Sequence, residues 1–188
     1  MTIPSVVIER IVRGRVAADM LLVLGASALI AIAAQVAIPL PVTPVPLTLQ
    51  PLAVILVGVA LGSTRGAAAA ALYRLDGASG LPVFAQGHAG AGWLHAATGG
   101  YLMSYPFAAW TAGFVSERGC GSSVVRAVTG MLLALGVIYL GGWSWLAVLT
   151  SPAAAFTAGV APFVVADIIK VALGAALLPK AQQLVSRF

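Results

Sequence analysis

Long apolar stretches, separated by short glycine- and proline-rich segments, make up most of this 188-residue chain. No Asp, Glu, Lys or Arg occurs between Met20 and Thr64 or between Ala127 and Ala166. These uncharged stretches are much longer than a core helix of a globular protein, and a membrane-spanning helix needs about 20 predominantly apolar residues. The pattern therefore predicts an all-helical integral membrane protein.

Six apolar runs qualify as predicted membrane helices, although the second and third are short for a complete crossing. Residues 142–157 are also apolar, but Pro152 interrupts them, so we predict a half-helix or a re-entrant segment there. We expect one membrane-embedded domain over residues 1–188. The six predicted spans are roughly Val16–Ala37, Thr48–Gly62, Gly66–Leu75, Gly99–Val115, Val124–Leu140 and Val160–Leu178.

The composition agrees with a membrane location, because 61% of the residues are hydrophobic and 8% are charged, whereas soluble domains have about 25% charged residues. The net charge of +5 does not predict a nucleic-acid partner, since the basic residues flank apolar spans. Six spans place both termini on one side, and the opposite loops, 77–98 and 141–158, contain no Lys or Arg. This asymmetry predicts that both termini lie on the cytoplasmic side of a cytoplasmic membrane. The basic residues on the cytoplasmic side are then Arg10, Arg13, Arg15, Arg65, Arg118, Arg126, Lys180 and Arg187.

Two loop segments contain too many helix-breaking residues to be continuous helix. The segment IPLPVTPVPLTLQP (38–51) has five prolines, so its backbone must be extended or polyproline-like over much of its length. The segment DGASGLPVFAQGHAGAGWLHAATGG (76–100) has seven glycines and one proline. Irregular backbone at membrane depth persists only where protein covers it or where it lines a cavity. Both loops fall on the outer side, so we predict a small-molecule cavity there.

An acid and a base, Asp167 and Lys170, lie inside the last apolar span. An ionisable residue at membrane depth costs roughly 2.5–3.5 kcal/mol on insertion scales. The i, i+3 spacing puts the two side chains on one helix face, which they share with Phe163 and Gly174. Two interpretations stay open: an internal ion pair that only neutralises itself, and a site for a polar ligand, which is the default hypothesis for intramembrane charges.

Three stretches of the chain resemble the BioY family, the biotin-binding S components of energy-coupling-factor (ECF) transporters. PVTPVPLTLQ (41–50) resembles the family's loop after the first helix. ALYRLDGASGLPVFAQG, followed by TGGYL, resembles its central signature, and PFVVADIIK resembles its last-helix motif. The sequence departs from the family pattern at Ala96-Ala97, where the family often has Gly-Pro, and at Val165-Ala166, where it often has Pro-Gly. Both departures bear on the geometry of the pocket.

The resemblance implies a six-helix S-component fold, a deep pocket open to the outside, and biotin as the transported ligand with no cofactor. It also implies a membrane-embedded T component and two cytoplasmic ATPases as partners, which drive release while the S component turns over in the membrane. An alternative from another class is a solitary facilitator or ion-coupled carrier for a small carboxylated vitamin. Asp167 would then be a proton site.

The candidate ligand contacts combine the charged pair with aromatic and amide side chains. In one orientation, Asp167 accepts from the ureido N–H groups of biotin and Lys170 donates to the ureido carbonyl. In the other, Lys170 binds the valerate carboxylate. The sequence does not decide between the two orientations. Gln86 corresponds to a polar ligand-contacting position in the family's central loop, and Tyr101 and Phe84 are expected to wall the bicyclic ring. Core packing of the two aromatic residues is the alternative. The remaining candidates are Phe163, Thr98, Gln50, Thr48, His95 and Arg74, of which Thr48 and Gln50 have helix capping as their alternative role.

Small residues on the first span form two small-xxx-small pairs, Ser27/Ala31 and Ala33/Ala37. Such pairs permit close contact between helices in a membrane. The resemblance makes this face a candidate docking site for the T component. Packing within the chain is the alternative explanation.

Catalytic functions have weaker support in the sequence. GASG (77–80) matches the GxSG of rhomboid intramembrane proteases, with Ser79 as nucleophile, but both histidines, His88 and His95, lie in the loop just after it and not on a late helix. Two loop histidines and the single Cys120 do not supply a converging set of haem or metal ligands. No G-x-x-x-x-G-K-[ST] phosphate-binding stretch occurs, so energy must come from another chain or from a gradient. We predict a non-catalytic transport subunit.

Overall fold

The computed structural model of the chain describes the backbone of residues 5–118 and 124–185, and the side chains of residues 15–118 and 128–176. Within these ranges the fold is almost entirely helical, with two short 3-10 helices in the loop between the third and fourth long helices. The α-helices are α1 (Ser5–Gln35), α2 (Gln50–Leu61), α3 (Ser63–Ala78), α4 (Gly99–Glu117), α5 (Val124–Leu149), α6 (Pro152–Gly159) and α7 (Val164–Val185).

The first five predicted spans correspond to α1 to α5, of which α1 begins earlier and α5 ends later than predicted. α5 continues to Leu149, whereas the prediction ended it at Leu140. Gly141 and Gly142, which lie just beyond the predicted end, are packing sites within the helix. A Cβ at Gly141 would lie 2.5 Å from Cβ of Ser104, and one at Gly142 would overlap the ring of Tyr101. The two glycines therefore let α4 approach α5 closely.

The last predicted span, Val160–Leu178, corresponds to α7, which begins at Val164 and follows the separate short helix α6. α6 and α7 are separated by residues 160–163, and their axes differ by 49°. α6 begins at Pro152 because Pro suits a first helical turn and Ser151 caps it, its Oγ accepting from the backbone N–H of Ala154 at 3.3 Å. The predicted half-helix over 142–157 was therefore wrong in its bounds, since its first part continues α5 and only its second part is α6.

Two of the described helices can cross a membrane by length and composition alone. These are Arg15–Gln35 within α1 and Val128–Leu149 within α5, and α6 with α7 counts as a third if the bent pair is one span. Apolar side chains cover their outward faces, as shown by Leu21 (71% exposed) and Leu140 (65% exposed). Exposed apolar side chains on long helices are what contact with lipid requires, and the chain is a membrane protein.

Charged side chains mark one end of the described helix bundle. Arg65, in the first turn of α3, pairs with Asp19 of α1 at 2.6 Å. Glu117, at the end of α4, accepts hydrogen bonds from the backbone N–H and the hydroxyl of Ser63, both at 2.8 Å. Of the basic residues predicted on the cytoplasmic side, Arg15, Arg65 and Arg118 belong to this end, and the other five lie outside the described side chains.

Close contacts between backbones hold α2, α3 and α4 together. A Cβ at Gly58 of α2 would lie 2.2 Å from the carbonyl oxygen of Ala109 on α4, and one at Gly66 of α3 would lie 2.7 Å from Cα of Gly58. Glycine is needed at both positions because any side chain would meet backbone that cannot move aside. These contacts set the position of α4 in the centre of the bundle, against α2, α3 and α5.

The small residues of α1 pack within the chain, as the alternative explanation holds, and their role as a docking face for a partner stays a prediction. Ser27 is 3% exposed, and its hydroxyl donates to Asp76 of α3 at 3.3 Å. Ala31 and Ala33 pack against the hydrophobic core. Ala37 lies beyond the helix, where its backbone pairs with Thr48. The small side chains serve close packing of α1 on its own neighbours.

The proline-rich segment forms a closed loop. Two short strands, β1 (Ala37–Ile38) and β2 (Leu47–Thr48), pair in antiparallel fashion with Ala37 opposite Thr48 and Ile38 opposite Leu47. The prediction of extended backbone is confirmed at these strands, but their pairing was not predicted. The pairing fixes both ends of the loop and holds the intervening prolines over the start of α2.

We predict that Gly58→Ala destabilises the protein, because the new methyl group meets the backbone of α4. Overpacking of this kind costs about 1–3 kcal/mol, which lowers the midpoint of thermal unfolding by several degrees in a chain of this size. The matched control is Gly25→Ala, since nothing lies within 4 Å of a Cβ placed there on the exposed face of α1. Equal midpoints for the two variants in detergent would contradict the close helix crossing.

Candidate ligand-binding site

A cavity of about 170 Å³ lies at the end of the bundle away from the Asp19–Arg65 pair. Its walls come from the proline-rich loop, the glycine-rich loop before α4, and the facing parts of α4, α5 and α7. A single water needs only about 10–15 Å³ on the same scale, so the space is large enough for a small organic molecule. Mostly apolar walls with a few polar groups are typical of such sites.

Nine of the eleven predicted ligand contacts line this one cavity. They come from segments far apart in the sequence, which the fold brings together. Their location is a finding, and their contact with a ligand stays a prediction. The nine are Thr48, Gln50, Phe84, Gln86, Thr98, Tyr101, Phe163, Asp167 and Lys170.

The charged pair is the polar centre of the cavity wall. Lys170 Nζ donates to Asp167 Oδ1 and to the carbonyl oxygen of Thr48, each at 2.7 Å. The hydroxyl of Tyr139 donates to the other carboxylate oxygen of Asp167 at 2.6 Å. The side chains of Asp167 and Lys170 are 5% and 12% exposed. A buried ion pair is tolerated when each partner has further hydrogen bonds, and this arrangement supplies them.

The break between α6 and α7 explains how Asp167 reaches the cavity. α7 begins at Val164, so Asp167 lies in its first turn, and its backbone N–H donates to the carbonyl of Phe163 at 2.9 Å. The first turn of a helix carries a partial positive charge that favours a carboxylate. A straight span from Val160, as predicted, would have placed Asp167 two turns inside the helix, away from this favourable end.

Tyr139 is the main polar contact that the sequence analysis missed. It lies on α5, in a stretch that is otherwise apolar. A tyrosine on an apolar helix usually finds a hydrogen-bond partner when it is buried. That signal indicates that Tyr139 has a polar neighbour, but no sequence pattern identifies the neighbour as Asp167, which is 28 residues away.

A second polar chain leads from the ion pair to α3. The hydroxyl of Thr48 donates to the amide oxygen of Gln50 at 3.1 Å, and the amide nitrogen of Gln50 donates to the hydroxyl of Tyr73 at 2.5 Å. The backbone N–H of Gln50 also bonds to the hydroxyl of Thr48 at 3.3 Å. Both side chains thus form part of the polar cavity wall, and Thr48 also satisfies one N–H at the start of α2.

Aromatic side chains form much of the remaining wall. Tyr101 is held by its hydroxyl, which donates to the carbonyl of Gly159 at 2.6 Å. Phe84 is 2% exposed and packs edge-on against Tyr73, with 5.7 Å between ring centroids. Both therefore line the cavity and pack in the core, so the two predicted roles are not exclusive. Trp93 and His88, whose rings lie 3.8 Å apart, also line the cavity and were not predicted.

Gln86 has an unusual backbone conformation at the edge of the cavity. Its φ of 61° is the one positive value among non-glycine residues in the described part of the chain. A left-handed conformation costs a residue with a Cβ about 1–2 kcal/mol, so the surrounding loop must hold it in place. Such outliers cluster at ligand sites. The next residue, Gly87, also has a positive φ, of 73°.

Arg74 and His95 do not line the cavity, so their predicted ligand contacts have no structural support. Arg74 donates to the sulfur of Met103 at 3.2 Å, on the outer surface of the bundle. His95 Nδ1 lies 3.3 Å from the carbonyl of Ala91, and its ring faces Trp145.

The GASG stretch forms a turn. The hydroxyl of Ser79 donates to the carbonyl of Asp76 at 2.7 Å, and Gly80 has a φ of 108°, which only glycine adopts readily. Nδ1 of each nearby histidine, His88 and His95, lies beside a backbone carbonyl. A hydroxyl that bonds to its own turn has the geometry of a structural serine.

An apolar helical bundle with one charged pair in the wall of a small cavity is the architecture of a membrane-embedded binding protein. The sequence matches the model of the BioY family over residues 7–187. The probable biotin transporter BioY of Pyrococcus horikoshii is 40% identical over 155 residues, which cover 82% of this chain and 90% of that protein. The biotin transporter BioY of Thermotoga maritima is 36% identical over 159 residues, which cover 84% and 92%. The chain belongs to the BioY family.

The fold is similar to that of a solved structure described as the S-component for biotin from an ECF-type ABC transporter. The TM-score is 0.78 over 90% of this chain and 93% of that chain, at 23% sequence identity. At this identity the similarity concerns the fold. It confirms the predicted S-component-like arrangement of helices.

We predict that Tyr139→Phe destabilises the protein, because it leaves one oxygen of the buried Asp167 carboxylate without its donor. The loss of a partner from a buried charged group costs about 1–3 kcal/mol, which is measured as a lower midpoint of thermal unfolding. Tyr105→Phe is the matched control, since Tyr105 lines the same cavity and its hydroxyl bonds to none of the described residues. An unchanged midpoint for Tyr139→Phe would mean that Asp167 does not depend on this bond.

Proposed function

We propose that this chain binds biotin as the membrane-embedded S component of an ECF-type vitamin transporter. The observation that carries the proposal is the Asp167–Lys170 pair in the wall of the cavity, in a chain of the BioY family. The pair places an acceptor and a donor side by side in largely apolar surroundings. That is the complement of the ureido ring of biotin, which has two N–H donors and one carbonyl acceptor.

The remaining hydrogen-bonding capacity of the pair supports this orientation. A carboxylate has about four lone-pair sites, and Asp167 uses two of them for Lys170 and Tyr139. An ammonium has three N–H donors, and Lys170 uses two of them for Asp167 and the carbonyl of Thr48. Asp167 can therefore accept from the ureido N–H groups while Lys170 donates to the ureido carbonyl.

The opposite orientation, with the valerate carboxylate at Lys170, is less favourable on electrostatic grounds. Asp167 lies 2.7 Å from the same ammonium, so a second carboxylate there would stand close to the first. Like charges in a medium of low dielectric repel strongly. We therefore place the ureido ring at the pair and the valerate chain towards the loops, where Gln86 and Thr98 supply polar groups. Phe84, Tyr101 and Phe163 then wall the bicyclic ring.

Transport requires partners in this proposal. The sequence contains no G-x-x-x-x-G-K-[ST] stretch for nucleotide phosphates, and the similar solved chain is described as part of an ECF-type ABC transporter. A membrane-embedded T component and two cytoplasmic ATPases would supply the energy. Biotin uptake by proteoliposomes that contain this chain alone would favour the alternative, a solitary facilitator or an ion-coupled carrier.

The proposed topology has six spans with both termini in the cytoplasm. It is supported by the charged end of the bundle, where Arg65 and Arg118 lie, and by the absence of Lys and Arg from residues 77–98 and 141–158. The cavity then opens to the outside of the cell, and the protein lies in a bacterial cytoplasmic membrane. The short α2 and α3, and the α6–α7 pair, each complete a crossing beside longer neighbours.

We predict that a cysteine at Ala91, in the loop beside the cavity, reacts with a membrane-impermeant maleimide added to intact cells. A cysteine at Thr64, in the exposed turn at the charged end, should react only after the cells are opened. Both are introduced after Cys120, the single native cysteine, has been replaced by alanine. Labelling of Thr64→Cys in intact cells, or protection of Ala91→Cys, would overturn the proposed orientation.

We predict that Asp167→Asn and Lys170→Ala each lower the affinity for biotin by about 2 kcal/mol or more, roughly thirtyfold, because each leaves a buried partner unpaired. The measurement is isothermal titration of the purified protein in detergent with biotin, beside thiamine and riboflavin. His95→Ala is the matched control, since His95 lies near the cavity without lining it. An unchanged affinity for biotin in both variants would mean that the pair does not contact biotin. Failure of folded wild-type protein to bind biotin would overturn the proposal.

The same titrations with biotin methyl ester decide which end of biotin meets Lys170. If the ureido ring lies at the pair, the ester binds more weakly than biotin by the same factor in wild type and in Lys170→Ala. If the valerate carboxylate lies at Lys170, the ester binds wild type more weakly than biotin does, whereas Lys170→Ala binds the two ligands equally well. The second result would reverse the proposed orientation while leaving biotin as the ligand.

A further inference from the structure

Gln35, the last residue of α1, forms a cluster of hydrogen bonds with the glycine-rich loop. Its amide nitrogen lies 3.3 Å from the carbonyl oxygen of Val83 and 3.2 Å from that of Phe84, and its amide oxygen accepts from the backbone N–H of Gly87 at 3.1 Å. The same nitrogen lies 3.2 Å from the carbonyl of Ala31, in the last turn of α1. One side chain thus binds a loop about 50 residues away at three backbone positions.

The contacts require a carboxamide. The donor side of Gln35 faces carbonyl oxygens and its acceptor side faces an N–H group, so the network itself assigns the two ends of the amide. A glutamate would turn a second acceptor towards the carbonyls of Val83 and Phe84. A methionine would fill the same space without any of these hydrogen bonds.

The loop that Gln35 holds forms part of the cavity wall. Phe84, Ala85, Gln86 and His88 line the cavity, whereas Gln35 does not. Gln86 has the left-handed backbone conformation described above, and Gly87 follows with a positive φ. Gln35 bonds to the residue after Gln86 and to the two residues before Ala85. Both sides of the unusual turn are therefore tied to the end of α1.

We propose that Gln35 is a positioning residue for the ligand site: it sets the conformation of the turn at 83–87 and so orients the side chain of Gln86 into the cavity. The inference rests on the proposed function for its ligand. It assigns to Gln35 no contact with biotin. The end of α1 thereby becomes a determinant of ligand affinity, although none of its last residues reaches the cavity.

The test is a double-mutant cycle on biotin affinity. Gln35→Ala, Gln35→Met and Gln86→Ala are each expected to weaken binding about tenfold, as the loss of one or two hydrogen bonds would. The double variant Gln35→Met/Gln86→Ala is expected to bind biotin little more weakly than the single variants do, because the turn then has no Gln86 side chain for Gln35 to orient. Multiplicative losses, or full affinity in Gln35→Met, would overturn the proposal. Gln35→Met keeps the side-chain volume, so a defect in it is not a packing defect.

Hydrogen–deuterium exchange without ligand tests the same inference independently of biotin. Amides of residues 83–88 are expected to exchange faster in Gln35→Met than in wild type, while amides of α4 and α5 exchange as before. Unchanged exchange at 83–88 would overturn the proposal. Wild-type protein that binds no biotin but shows the expected exchange would refute the proposed function and leave the positioning role of Gln35 in place.

Discussion

The buried ion pair between Asp167 and Lys170 is the interaction on which the rest of the site depends. Two charges in surroundings of low dielectric must be neutralised and hydrogen-bonded, and each of their partners comes from a different element. Tyr139 comes from α5 and the carbonyl of Thr48 from β2. The pair therefore ties the proline-rich loop, α5 and α7 together. A cavity wall built in this way retains free donor and acceptor capacity for a ligand, which a self-sufficient apolar core would lack.

The irregular backbone around the pair follows from the same constraint. A continuous helix satisfies its own backbone groups and leaves none for a ligand or for a neighbouring side chain. The break between α6 and α7 brings Asp167 into a first turn, and the proline-rich loop exposes the carbonyl of Thr48 to Lys170. The glycine-rich loop likewise exposes carbonyls and an N–H group that Gln35 binds. Irregular segments and polar side chains thus satisfy one another at the cavity end of the bundle.

The helices were the easiest feature to predict, because uncharged apolar runs determine them one by one. The bounds of α2, α3 and α4 differ from prediction by only a few residues, whereas α5 was predicted to end before Gly141 and Gly142. These two glycines lie within the helix, where they permit contact with Ser104 and Tyr101. The small residues of α1 pack within the chain, which their spacing alone did not decide. A small side chain permits close approach, but it does not indicate whether the approaching helix belongs to the same chain.

The sequence by itself determined that this is a membrane protein, where most of its long helices lie, and the acid–base pair. Each of these depends on composition or on spacing within one helix. Only the tertiary structure decided that Tyr139 and the carbonyl of Thr48 complete the pair, that Arg74 and His95 do not line the cavity, and that Gln35 bonds to both sides of the turn at Gln86. Those contacts join residues 28 to 122 positions apart. The rotation and offset of packed helices set them, and neither is encoded in the periodicity of a single segment.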